Sequence, residues 1–215
     1  MHIAEGILPG STLVAGAVLA AAGTVVGLRR MDDQRTIQVA VMSSALFVAS
    51  LIHVPFGPVS MHLVLNGLAG LLLGWAVVPA YLTALTLQAL FFGYGGITSL
   101  GVNTVVMATP GLLCYFLFGR SLSAASPTRA FTIGAAAGVL GILGGCALLC
   151  AALLTAGDSF RAISTAVLLG NLPVAFIEAV VTGSAVSFLL RVRPETFRLM
   201  PSGSVVTERP ASSVS

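Results

Sequence analysis

The chain has 215 residues, 57% hydrophobic and only 8% charged, with a formal net charge of +3 and a mean hydropathy of +1.03. Soluble domains carry about 25% charged residues, and here no Asp, Glu, Lys or Arg occurs from Thr36 to Gly119, which excludes a water-soluble fold and requires an integral membrane protein. The positive balance does not indicate nucleic acid, because every basic residue is Arg and most stand at the ends of apolar runs, where they act as topology signals at a membrane surface.

The chain opens MHIAEGILPG. No positive segment precedes an apolar core and no A-x-A-like cleavage site follows, so residues 1–10 are expected to be a retained strap rather than a signal peptide. Glu5-Gly6 would turn the strap, and Pro9-Gly10 would mark the start of a helix. Apolar runs then predict seven helices over Ser11–Leu28, Thr36–Ile52, Met61–Val78, Ala80–Phe92, Val102–Phe118, Ala130–Ala156 and Ile163–Leu190. The break between the third and fourth is placed at Pro79. Small residues at i, i+4 (Gly23/Gly27, Gly70/Gly74, Gly134/Gly138, Gly141/Gly145) permit close helix approach, either inside the bundle or on a face that docks another subunit. Cys114, Cys146 and Cys150 lie within apolar runs and read as packing residues.

Arginine placement orients this array. With seven spans and the N-terminus outside, Arg29, Arg30, Arg35, Arg120, Arg129, Arg191, Arg193, Arg198 and Arg209 are cytoplasmic and only Arg161 is external. The predicted fold is thus an all-α membrane bundle of about seven transmembrane helices, with the N-terminus outside and the C-terminus cytoplasmic. Residues 1–194 would form a single transmembrane domain, and 195–215, rich in Pro and Ser, a disordered cytoplasmic tail.

That topology gathers three polar segments at the outer side. These are the MHIAEG terminus, the stretch IHVPFGPVSMHL with His53 and His62, and the glycine-rich FGYGGITSLGVNT leading to Asn103. A His at position two is a chelator by geometry. The Met1 amine, the deprotonated His2 amide and His2 Nδ1 close two fused rings, leaving a fourth planar corner for an imidazole. Planar nitrogen ligation suits Ni(II) or Cu(II) and can be adapted to Co(II). His62 is the candidate for the fourth corner and His53 its competitor. Glu178, inside the last helix, is an intramembrane carboxylate that needs a partner or a polar cavity. It is either part of the site or a packing element. There is no phosphate-binding G-x-x-x-x-G-K-[ST] loop and no enzyme motif, so the chain is not expected to be an enzyme.

The blocks MHIAEGILP, GPVSMHLVLNGLAGLLLG, QALFFGYGGITSLGVNTVVM and LPVAFIEAVVTGSAVSFLLRVRP resemble the CbiM/NikM family, the membrane substrate-binding components of energy-coupling-factor cobalt and nickel importers. The resemblance extends to about Pro194. It implies that residues 1–194 are a substrate-binding domain with the N-terminal strap tucked into the bundle, and that Met1, His2 and His62 bind the metal, with His62 following the G-x-x-S-type turn that contains Ser60. His53 is not carried over as a ligand; Glu5, Ser60, Asn103 and Glu178 are left as surrounding residues. Tyr94 and Val105-Val106 depart from the family pattern. The resemblance further implies no resident cofactor, with Co²⁺ or Ni²⁺ bound as cargo. Its implied partners are a transmembrane coupling subunit, cytoplasmic ABC ATPases that hydrolyse the ATP, a small accessory membrane subunit and the lipid bilayer. The implied location is the inner (plasma) membrane of a bacterium or archaeon. A stand-alone cation carrier or channel relying on Glu178 is the alternative.

Overall fold

A computed structural model describes residues 2–51, 53–56, 59–122 and 125–197; the side chains of Gln34, of residues 53–56 and 59–61, and of Asp158 lie outside that description. The chain runs through α1 (Gly10–Leu28), α2 (Asp33–Leu51), β1 (His53–Phe56), β2 (Val59–His62), α3 (Asn66–Leu73), a 3₁₀ turn (Gly74–Ala76), α4 (Val77–Phe92), α5 (Leu100–Leu122), α6 (Pro127–Leu154), a 3₁₀ turn (Asp158–Phe160), α7 (Arg161–Val192) and a last 3₁₀ turn (Pro194–Phe197). Among the described residues five helical stretches are long and apolar enough to cross a membrane: Gly10–Leu28, Asn66–Phe92 (α3, the 3₁₀ turn and α4 taken together), Leu100–Leu122, Pro127–Leu154 and Arg161–Val192, with Arg35–Leu51 a shorter apolar helix.

The start signals behave as elementary chemistry requires. Pro9, extended, caps α1, and Ser126 caps α6 by accepting the Arg129 N–H, with Pro127 at the first helical position. Pro79 does not separate the third and fourth helices as expected. It lies in the first turn of α4, where a missing N–H has no intrahelical partner to lose, and the break falls instead at Gly74 (φ +55). A second departure from the all-α expectation lies just upstream. Residues predicted as a loop and as the start of the third helix at Met61 form an antiparallel hairpin, with His53 opposite His62 and Val54 opposite Met61. Val54 and Val59 are β-branched residues that suit a strand. His62 therefore ends a strand rather than beginning a helix. The turn Pro194–Phe197 carries ordered chain past the predicted boundary at 194, with Phe197 buried; the tail from 198 lies outside the described residues.

In lipid, helices gain little from hydrophobicity alone and associate where small residues let backbones meet. That is where the glycines are spent. A Cβ at Gly70 would collide with the backbone of Gly111 on α5, one at Gly138 with the Glu178 carbonyl on α7, and one at Gly67 with the Ala137 carbonyl on α6. Gly134 meets Gly183, and Gly27 meets Trp75 and Pro79. Of the two readings of the small-residue spacing, internal packing accounts for these positions. Helix α5 lies against α1, α3, α4 and α6, and α6 and α7 pack along each other. Cys114 and Cys146 are fully buried, and all three cysteines are free thiols.

Two sets of contacts define the ends of the bundle. At one end, Arg30 after α1 stacks 5.0 Å over the Trp75 ring, and Arg35, Gly74, Tyr115 and Phe197 line a small crevice. At the other, Thr12 of α1 and Thr155 after α6 share a 2.9 Å hydrogen bond. Helix α3 starts at mid-depth, where Asn66 lies against Gly111 of α5 and Gly141 of α6, and α4 runs back to the second end, where Gln88 meets the N-terminal strap.

Candidate metal site

The strap is held by side chains of α5 and the segment before it. Asn103 grips the Ile3 peptide from both sides: its Oδ1 accepts the Ile3 N–H (2.9 Å) and its Nδ2 donates to the Ile3 carbonyl (3.0 Å). Ser99 Oγ donates to that carbonyl as well (2.8 Å), and the Ile3 side chain enters the core. Two residues on, Glu5 Oε1 accepts the Thr98 N–H (3.0 Å). This bond and one from the Ile97 backbone hold the exposed Glu5 carboxyl below its usual range. Gly96 (φ +102) lies under Glu5 so closely that any Cβ would strike it, and Gly6 (φ +79) supplies the turn. Asn103 and Glu5 thus fasten the strap rather than face the cavity.

The fastening delivers His2 into the bundle. Its Nε2 lies 2.7 Å from Gln88 Oε1, a buried residue of α4. An amide oxygen only accepts, so Nε2 carries the proton and Nδ1 the lone pair. The His62 ring sits 5.2 Å from the His2 ring, centre to centre, at 28°. His62 Nδ1 lies 2.9 Å from its neighbour's carbonyl, Leu63 O, which likewise assigns the proton to Nδ1 and the lone pair to Nε2. Both rings border an open cavity of about 280 Å³ lined also by Ala4, Ser50, Gly93, Tyr94 and Gly95. Tyr94 approaches His2 at 6.3 Å between rings and continues into a cluster with Phe92.

Burial pushes the His2 pKa down to about 3, with the positive amino terminus adding to the effect. The seated ring is therefore neutral, the form that binds metal. The sign of the linkage follows. Above pH 6.5 neither seated nor released His2 is protonated; below it the released ring takes a proton that the seated ring refuses. Seating of the strap should weaken steadily from pH 6.5 towards 3, by about 2 kcal/mol at pH 5. Exchange protection of the Ile3 amide, corrected for intrinsic rate, should fall about 30-fold between pH 7 and pH 5; protection that holds constant would contradict the burial of His2.

Of the sequence candidates, the structure brings His2 and His62 together. Glu178 is fully buried on α7 and does not border the cavity. Met1 and the side chains of His53 and Ser60 lie outside the described residues, though the backbones of His53 and Ser60 belong to the hairpin. Gln88 was not singled out by the sequence; the one carboxamide in the run Ala80–Phe92, whose other polar groups are the hydroxyls of Tyr81, Thr83 and Thr86, is the signal that could have found it. Among the described residues no group of three or more His, Cys, Asp or Glu is poised around one point. Two imidazoles supply two ligands, so an ion held here needs main-chain or terminal nitrogen as well.

The profile of a family described as the cobalt uptake substrate-specific transmembrane region, CbiM, matches residues 2–196. The chain belongs to the CbiM family. It is a membrane protein of metal uptake in which the substrate-specific transmembrane region accounts for nearly the whole length. It is 43% identical over 197 residues to a putative metal transport protein of Haemophilus influenzae, a match covering 91% of this chain and 96% of that one. It is 34% identical over 146 residues to the fused nickel transport protein NikMN of Rhodobacter capsulatus, covering 63% of this chain and 42% of the relative. Among solved structures, a transition metal transporter superposes with a TM-score of 0.71 at 25% identity, covering 89% of this chain and 93% of that one. CbiM relatives bear the names of transport proteins rather than of enzymes.

Proposed function

We propose that this CbiM-family chain is the metal-capture subunit of an energy-coupling-factor ABC importer for Co²⁺ or Ni²⁺. The ion is held by the Met1 amine, the deprotonated His2 amide, His2 Nδ1 and His62 Nε2. The observation that carries this reading is the pairing of a half-buried and a buried imidazole whose hydrogen bonds, to Gln88 and to Leu63, leave the lone pairs on the two nitrogens such a chelate requires. Orienting partners of this kind fix tautomer and ring direction at metal sites generally. A plane of nitrogens favours Ni²⁺ over Co²⁺ in intrinsic affinity.

The bundle crosses the inner membrane seven times, the chain from His62 through α3 forming one pass and α4 the opposite one, joined at Gly74–Ala76, with the strap outside and the C-terminus inside. Supporting this, Arg30 stacks on Trp75 at the end that also collects Arg35 and Phe197, while the histidines lie at the far end with Arg161 beyond α6. Partner subunits, a transmembrane coupling protein and cytoplasmic ATPases, drive release; a relative in which the matched region is fused to more chain agrees with a multipart assembly. The carrier reading needs Glu178 to face the permeating ion, whereas its carboxylate is turned to the backbone of Val64 and Leu65.

The test is uptake of radiolabelled Ni²⁺ or Co²⁺ into vesicles holding the chain with its coupling partners. Accumulation should follow ATP and occur with one tightly bound ion per chain in calorimetry. Accumulation indifferent to ATP yet abolished by Glu178→Gln would overturn the importer reading in favour of the carrier.

A further inference from the structure

Glu178 is the largest anomaly the site leaves unused: a carboxylate wholly within the bundle, on the fifth turn of α7, with no direct contact to the cavity. Its Oε1 accepts two consecutive main-chain N–H groups, Val64 (2.5 Å) and Leu65 (2.7 Å). Both belong to the short segment between His62 and α3. Leu65 there has φ +57, which for a branched side chain must be held by its surroundings. The same segment is tied twice more. Tyr81 of α4 donates its hydroxyl to the Val64 carbonyl (2.7 Å), and Asn66 donates to the Gly141 carbonyl of α6 (2.8 Å). The His62 ring is bonded to the Leu63 carbonyl, so its direction depends on this backbone. His2, by contrast, is held through Gln88 of α4 and Asn103 of α5.

We propose that Glu178 is a positioning residue for the metal site: by accepting the Val64 and Leu65 amides it holds the left-handed turn that aims His62, and so makes α7 the element that sets the distance between the two imidazoles. The proposal rests on the reading of His2 and His62 as ligands. It gives the site a seam. One imidazole is anchored on α4 and α5, while the backbone aiming the other is clamped by α7 and α6, with Tyr81 as the link across. A displacement of α7 along its length pulls on the amides of residues 64 and 65 and turns His62 away from His2, without any change at the strap. An apolar residue at 178 would leave two buried N–H groups without acceptors, a cost large enough to reshape the turn.

The experiment compares full-length variants in detergent micelles by calorimetry with Ni²⁺ and by the ligand-field absorption of bound Ni²⁺. Glu178→Gln keeps a carbonyl oxygen able to accept both amides and should leave affinity within about threefold and the band in place. Glu178→Ala should weaken binding about 10- to 100-fold, as loss of an orienting partner does, and shift the band. Val186→Ala, a buried truncation two turns along the same helix, should lower the melting temperature with the band unmoved. If Glu178→Ala cannot be obtained folded, Glu178→Asp decides. Its shorter carboxylate should draw the turn towards α7 and shift the band, and an unmoved band overturns the proposal, as does an unmoved band in folded Glu178→Ala or an equal shift in Val186→Ala. His62→Ala run alongside separates the two readings. If it retains wild-type binding, the assignment of the site has failed; if it loses binding while Glu178→Ala and Glu178→Asp do not, only the positioning role has failed.

Discussion

One uncleaved residue placed ahead of Met1 should lower Ni²⁺ or Co²⁺ affinity by about 100-fold or more. In the proposed chelate, Met1 contributes a primary amine; extension converts it to a peptide nitrogen and appends a chain where the ion should sit. Loss of partners that merely orient a ligand costs about 10- to 100-fold, and loss of a ligand should match or exceed the upper figure. The effect cannot be absorbed by sliding the strap. Ile3 is held through both its N–H and its carbonyl by Asn103, and its side chain is buried, so the register of residues 2 and 3 is set. Calorimetry on an extended form carrying a protease site immediately before Met1 makes the measurement reversible. Affinity should be about 100-fold or more weaker before cleavage and return to the native value after it, with the same helix content throughout. An extended chain that binds as tightly as the cleaved one would remove the amine from the ligand set.

Replacing His62 by Ala should have an effect of similar size, about 100-fold or more, for a different reason. Here the main chain stays intact and the loss is one imidazole, whose Nε2 lone pair is the donor left by the Nδ1 bond to Leu63. The ring is largely buried, so its removal also costs packing, on the order of 1–3 kcal/mol. That penalty should appear as a lower melting temperature of the metal-free protein. The two losses separate experimentally: stability is read without metal, affinity by titration, and only the second should recover when imidazole is added in solution. His53→Ala, by the sequence argument, should matter much less. Wild-type affinity in His62→Ala would leave His2 without its partner and force a different fourth ligand.

Some features were legible because they depend on composition. A charge-free stretch from Thr36 to Gly119 can only be membrane, and the helix start at Pro9-Gly10 acts through local backbone chemistry. His2 and His62 were legible because an imidazole is conspicuous in an apolar chain. The hairpin was not, since IHVPFGPVSMH offers an apolar run too short for its period to distinguish strand from helix. Nor was the break at Gly74. Pro79 is the stronger breaker in isolation, but a proline is harmless in a first helical turn, and only the packing of α3 and α4 decides where that turn begins.

The sequence by itself determined a membrane bundle, the helices that build it, a strap at its N-terminus and two histidines at one end, since these follow from hydropathy, arginine placement and residue chemistry. Only the tertiary structure decided what those histidines can do. Gln88 and the Leu63 carbonyl choose which ring nitrogen keeps its lone pair, Asn103 sets the depth of His2, and Glu178, more than a hundred residues from His62, holds the turn beside it. Tautomer and ring direction depend on hydrogen-bond partners brought in from other helices, and no spacing along the chain encodes such a meeting.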